Sequence, residues 1–163
     1  MTPHGKVLLD ILPTGPLVGA EVGVLRGENA ATLLEGRPEL LLYLVDTWQH
    51  GGLVKEAPWQ IRRQAYKRLE GGFRSRIQWQ EVNSLIAATW HADASLDFVF
   101  LDSCHEFDHV LAEIDAWHPK VKPGGILAGH DYGHPDYPGV KKAVSRRLGS
   151  VGTLAAHVWA VRR

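Results

Sequence analysis

Asp102, His105, His130 and Asp131 are the residues whose types and spacing could do chemistry. Imidazole titrates near neutral pH, so His105 or His130 could act as a general base beside two carboxylates. These residues lie in one stretch, Ser95 to Tyr132. Its two apolar runs, Leu96–Leu101 and Ile126–Gly129, end on Asp102 and on His130-Asp131 respectively. Between them Phe107, Val110, Leu111, Ile114 and Trp117 recur at helical spacing, one face of a helix against a sheet. That is a strand–helix–strand crossover, whose right-handed form brings both clusters to one carboxyl edge. Open α/β sheets bind ligands at that edge.

The same stretch contains His105-Glu106-Phe107-Asp108-His109, a literal zinc-hydrolase pattern. A zinc site would need both histidines on one helical face, Glu106 as base, and a third ligand such as Glu113 or His130. His105 is instead expected on the strand-to-helix turn, with the helix face already filled by apolar residues. Cys104 and His105 are adjacent and poorly placed to pair as nucleophile and base, so Cys104 reads as a lining thiol.

The 163 residues fit one domain, 1–163. Eighteen basic residues balance eighteen acidic ones, which gives no basic excess for a nucleic-acid backbone. Paired cations such as Arg62-Arg63 and Lys141-Lys142 read as solvated helix faces. A single cysteine excludes an internal disulfide. The apolar part of MTPHGKVLLDILP is too short for a signal peptide or membrane span, so a cytoplasmic protein without a membrane partner is expected.

Strands alternate with helices along the chain. Strands are expected at Pro16–Val22, Leu40–Val45, Arg76–Val82, Leu96–Leu101, Ile126–Gly129 and His157–Val161, the last after a short partner near Val151–Leu154. Helical segments are expected at Val7–Leu12, Glu28–Glu35, Trp59–Leu69, just after Ser84, and at Val140–Leu148. Thr47–Pro58 reads as a Gly/Trp loop, and Pro123-Gly124-Gly125 as the turn feeding the fifth strand. The fold class is α/β: a Rossmann-like, doubly wound, mostly parallel sheet with an antiparallel terminal strand, in a three-layer sandwich. Trp79, Trp90, Trp117 and Trp159 are expected in the core, while Trp48 and Trp59 flank the loop and could border a ligand.

The first strand runs into Glu21-Val22-Gly23-Val24-Leu25-Arg26-Gly27. A dinucleotide fingerprint would need glycine at 23, 25 and 28, but Leu25 and Glu28 break it. Glu28 would also place a negative charge where a pyrophosphate should rest. Such a turn, after an acidic residue, suits a ligand with a cationic amine and no phosphate. Asp46, ending the second strand, stands where a carboxylate can accept from both hydroxyls of a ribose, or cap a helix.

Together these features resemble the class I S-adenosylmethionine-dependent methyltransferases, from the first strand to the last. The resemblance implies that Glu21, Gly23 and Gly27 hold the methionine part of the cofactor and that Asp46 holds its ribose. Thr47 and Trp48 follow Asp46 in the implied cofactor site, Asn83-Ser84 border the adenine, and Asp102 lies between cofactor and acceptor. The ends of the fourth and fifth strands are similar to small O-methyltransferases with an IDGDH-like fourth motif and an HDY or DDY fifth-strand ending. In metal-dependent members acids at these ends bind Mg²⁺, which implies Asp102 and Asp131 as ligands, with His130 where some members have a further acid. Cys104 stands where an acidic residue that can serve as base is common.

The expected activity is therefore methyl transfer from S-adenosylmethionine to a hydroxyl of a small molecule, with His105, His130 and Asp131 catalytic. The alternatives are the zinc-dependent hydrolase and a cofactor-binding module without catalysis. Little chain precedes the first strand to cover a substrate. A partner subunit could supply that cover, so a homodimer is an expectation.

Overall fold

The computed structural model describes residues 1–49 and 55–163. Among the described residues six strands form one sheet: β1 (Leu17–Val22), β2 (Leu40–Val45), β3 (Ile77–Gln80), β4 (Leu96–Leu101), β5 (Val121–Gly129) and β6 (Trp159–Arg162). Their order is β3-β2-β1-β4-β5-β6, parallel except for the antiparallel β5–β6 pair. The helices are α1 (Pro3–Ile11), α2 (Glu28–Gly36), α3 (Pro58–Phe73), α4 (Ser84–Ala88), α5 (Phe107–Trp117) and α6 (Pro138–Leu148). Strand order reverses between β1 and β4, so a crevice opens at their carboxyl ends. This is the Rossmann-like, three-layer α/β arrangement. Among the described residues no helix is long and apolar enough to cross a membrane.

Period-2 patterning explains the two cores. Leu40, Leu42 and Leu44 of β2, with Phe98 and Phe100 of β4, face one helical layer that includes Leu8, Leu33 and Ile61. Ala20 and Val22 of β1, with Val99 and Leu101 of β4, face Ile114 and Trp117 of α5 and Val144 of α6. Gly19 is small because Phe98 fills its place: a Cβ there would lie 2.2 Å from the Phe98 ring.

Several boundaries differ from the sequence reading. α1 begins at Pro3 rather than Val7, because Thr2 caps it and Pro3 occupies a first-turn position that needs no N–H. α3 runs on to Phe73, past Leu69. β5 starts at Val121, so Pro123-Gly124-Gly125 is an irregularity within the strand rather than a turn before it. The register there steps from Leu96↔Val121 to Phe98↔Ile126. Gly124, at φ 79°, is held by its N–H donating to the Arg163 carbonyl at 2.7 Å. Trp117 and Trp159 are buried and Trp79 is half-buried on Tyr66, but Trp90 is 58% exposed. The five-residue α4 ends at Ala88 and leaves Trp90 outside the packed face. The Gly/Trp loop falls partly on residues 50–54, outside the described residues.

Candidate active site

The carboxyl ends of β1 and β4 are stitched together. The Asp102 N–H donates to the Val22 carbonyl at 2.7 Å, and Gly23 turns away at φ 93°. A Cβ on Gly23 would lie 2.1 Å from the Asp102 carbonyl oxygen, so only glycine allows this approach. Leu25 also takes positive φ, and Gly27, at φ 73°, is the N-cap of α2. Asp46 ties the turn down: Oδ2 accepts from the N–H groups of Val24 (2.8 Å) and Leu25 (2.9 Å), and Oδ1 from Trp48 (2.6 Å). The Trp48 indole is buried beneath the turn and donates to the Leu25 carbonyl at 2.9 Å. Thr47 is exposed beside it. Glu28 lies at the start of α2 and pairs with Arg68 at 3.3 Å.

Glu21 is 1% exposed. Burial, followed by the negative Asp102, pushes its carboxyl well above the usual range. Its Oε2 has no hydrogen-bond partner, and neither has the buried Nδ2 of Asn29. Two buried polar atoms without a partner beside a glycine turn leave hydrogen-bonding capacity for a bound group. Across the crevice, the Asn83 side chain caps α4 by accepting from the Leu85 N–H at 2.9 Å, and the buried Ser84 hydroxyl is also unpartnered.

The second cluster assembles beside this one. His105 Nε2 lies 2.8 Å from Asp131 Oδ2, and His130 Nδ1 lies 3.3 Å from Asp131 and 3.5 Å from Asp102. Asp131 holds a left-handed conformation, φ 58°, a strain that aims its carboxylate at both rings. His105 stacks on Tyr137 at 4.0 Å, and its backbone is pressed by Gly139, where a Cβ would lie 2.5 Å from the His105 carbonyl. Asp102, His105 and Asp131 each offer a ligand atom, all within 4.8 Å of one another, a donor set that fits a divalent cation. The histidine of this set is His105 rather than the expected His130, whose Nδ1 instead lies against both carboxylates. His109 goes elsewhere: its Nε2 meets the buried Glu113 at 3.2 Å, and Glu113 also accepts from the Ser103 hydroxyl at 2.6 Å. Because α5 starts only at Phe107, His105 and His109 share no helical face, which removes the geometry a zinc-hydrolase motif needs.

A methyltransferase-domain family model matches residues 20–132, more than half of the chain. The chain belongs to the methyltransferase family. Members of this class take S-adenosylmethionine as cofactor, and the glycine turn and the unpartnered Glu21 oxygen fit that molecule. No curated protein matches the chain at a significant level.

Among solved structures the methyltransferase is similar to a protein of Corynebacterium glutamicum, at 20% identity and TM-score 0.76 over 99% of this chain and 82% of that one. It is also similar to the TDP-rhamnose 3′-O-methyltransferase of calicheamicin biosynthesis, at 18% identity and TM-score 0.61 over 96% and 74% of the two chains. A third is the N-methyltransferase NodS of Bradyrhizobium japonicum, at 15% identity and TM-score 0.66 over 98% and 94%. Likeness at this identity shows the shared fold, and the fold accommodates both oxygen and nitrogen acceptors.

The sequence reading missed two residues of this site. His4, on α1, places its ring 4.7 Å from that of His130, and burial holds its imidazole below the ordinary range. Asn29, in the first turn after Gly27, was findable as a polar group at a helix N-terminus next to Glu21. The Thr2-Pro3 capping signal would have extended α1 to include His4.

Burial opposes charging of His130, yet the Asp102 and Asp131 carboxylates outweigh it and push the imidazole up to about 10. Burial likewise opposes ionisation of Asp131, but His105 and His130 outweigh it and hold the carboxyl well below the usual range. In metal-free protein the stability from His130 is fully present below its ordinary 6.5 and is lost as pH rises towards about 10. That from Asp131 is present above its ordinary 3.8 and is lost as pH falls through the depressed value. Urea unfolding of chelator-treated protein should therefore give a lower midpoint near pH 9.5 than near pH 6.5. His130→Gln should flatten the difference.

Proposed function

We propose that this methyltransferase transfers the methyl group of S-adenosylmethionine to a hydroxyl of a small molecule, with Mg²⁺ held by Asp102, His105 and Asp131. The observation that carries the reading is the adjacency of two clusters. A buried, open Glu21 oxygen lies below a glycine turn, and that turn packs directly on the backbone of Asp102. Glu21 would take the cofactor's ammonium group, Asp46 its ribose hydroxyls, and Asn83-Ser84 the adenine edge. Gly23 and Gly27 let the backbone approach, and Thr47 borders the ribose side. Trp48, which the sequence reading put against a ligand, is buried and supports the turn from beneath.

S-adenosylmethionine supplies an electrophilic methyl on a sulfonium, and Mg²⁺ held by Asp102, His105 and Asp131 would supply a lowered pKa for an acceptor hydroxyl. Asp102 and Asp131 would orient that hydroxyl, with His130 lying 3.5 Å and 3.3 Å from the two carboxylates. The hydroxyl proton leaves to water and the oxygen forms a bond to the methyl carbon. The carbon–sulfur bond breaks with its electron pair remaining on sulfur, giving the methyl ether and S-adenosylhomocysteine.

A second, metal-free reading is favoured by the 2.8 Å His105–Asp131 contact, a pair in which Asp131 orients His105 as general base. One experiment separates these readings: methyl transfer from labelled cofactor to a panel containing catechol, TDP-rhamnose and small amines, with Mg²⁺ or with chelator. Transfer to a hydroxyl that is lost with chelator and restored by Mg²⁺ is expected. Full activity in chelator would pass the role to the His105–Asp131 pair. Transfer to amines alone would overturn the hydroxyl acceptor.

A further inference from the structure

The first turn of α1 is fixed more firmly than a chain terminus usually is. Thr2 donates through its backbone N–H to Thr32 Oγ1 at 3.0 Å and through its hydroxyl to Asn29 Oδ1 at 3.0 Å. The Thr2 hydroxyl also accepts from the Gly5 N–H at 3.1 Å. Gly5 is wedged in: a Cβ there would lie 2.5 Å from Thr2 Oγ1 and 2.6 Å from Asn29 Oδ1. α1 also packs against the turn at Ala155–His157 that leads into β6. His4 is thus held on a rigid element.

Its ring lies nearly parallel to Phe100, 10° apart with centroids at 6.0 Å, and 4.7 Å from His130. Phe100 is the register partner of Glu21, so His4 covers the sheet face that carries Glu21 and lies beside His130 of the Asp102–Asp131 cluster. It is half-buried, and none of the hydrogen bonds among the described residues engages its ring nitrogens. An apolar side chain could cover Phe100 without the penalty of a desolvated, unpartnered imidazole. A polar ring in this position can offer a hydrogen bond to a group bound beside His130.

We propose that His4 is a catalytic residue of the acceptor site, where its ring nitrogen hydrogen-bonds the methyl acceptor and the first turn of α1 forms one wall. The acceptor therefore carries a hydrogen-bonding group on the side facing α1. The proposal rests on the methyl-transfer reading and deepens it.

The test uses His4→Ala, His4→Gln and His4→Phe in the full chain. S-adenosylhomocysteine affinity is read by calorimetry, and kcat/KM for the acceptor is taken from the panel above. A crystal structure of the wild-type S-adenosylhomocysteine complex is the third measurement. All three variants should bind S-adenosylhomocysteine within about twofold of wild type. The Ala and Phe variants should lose roughly tenfold in kcat/KM, the effect of one hydrogen bond, while Gln keeps most of it. In the complex the cofactor sulfur and the His4 ring should border the same cavity.

A tenfold loss of S-adenosylhomocysteine affinity in His4→Ala, wild-type turnover in His4→Phe, or a sulfur walled off from His4 would each overturn the proposal. Failure of the wild type to bind S-adenosylhomocysteine sinks the methyl-transfer reading instead. If the wild type binds it but methylates nothing in the panel, the geometry of the complex decides the role of His4.

Discussion

Asp131→Ala should lower methyl transfer by at least about 10²-fold while leaving S-adenosylhomocysteine affinity nearly unchanged. Asp131 lies at the end of β5, where it holds His105 at 2.8 Å and His130 at 3.3 Å. Removing its carboxylate takes away a proposed metal ligand and the group that orients His105, so either reading of the chemistry loses its centre. The proposed cofactor contacts lie on β1, β2, the turns after them and the start of α4, whereas the Asp131 side chain pairs with His105 and His130. Steady-state turnover set against calorimetric S-adenosylhomocysteine binding checks this. A variant with wild-type turnover would remove Asp131 from the mechanism, and a parallel collapse of cofactor binding would make its role structural.

Gly23→Ala should destabilise the protein by about 3 kcal/mol and weaken S-adenosylhomocysteine binding together with it. Two effects add at this position. A left-handed φ of 93° strains any residue with a Cβ, by about 1–3 kcal/mol. The added methyl would meet the Asp102 carbonyl oxygen at 2.1 Å, and forcing backbone apart in a packed region costs about 1–3 kcal/mol more. The displaced backbone is that of Asp102, so the turn and the second cluster should move together. Urea unfolding measures the first effect and calorimetry the second. Gly133→Ala is the control: it shares a positive φ but has nothing within 4 Å of an added Cβ. It should show the strain alone.

Much of the fold was legible because local patterns and the tertiary structure agree. Leu40–Val45 is an unbroken apolar run of strand length and Leu96–Leu101 is apolar but for Asp97, and both are strands over those residues. The face Val110, Ile114 and Trp117 is buried in α5 as its spacing requires. Reading failed where an end is set by something distant. β5 is extended through Pro123-Gly124-Gly125 by hydrogen bonds to the last residue of the chain, Arg163. Trp90 is exposed because α4 is short, which its own side chain does not determine.

The amino-acid sequence by itself determined which residues reach the carboxyl edge. Strand ends follow from hydrophobic runs, and right-handed crossovers in a parallel sheet place those ends on one edge, so Glu21, Asp46, Asp102, His130 and Asp131 were expected there. Only the tertiary structure decided how they pair. That Asp131 takes His105, that His130 stands between two carboxylates, and that His109 turns away to Glu113 depend on side-chain directions across separate elements. The arrival of His4 at this edge depends on the docking of α1 against α2, a packing of two helical surfaces that no local spacing encodes.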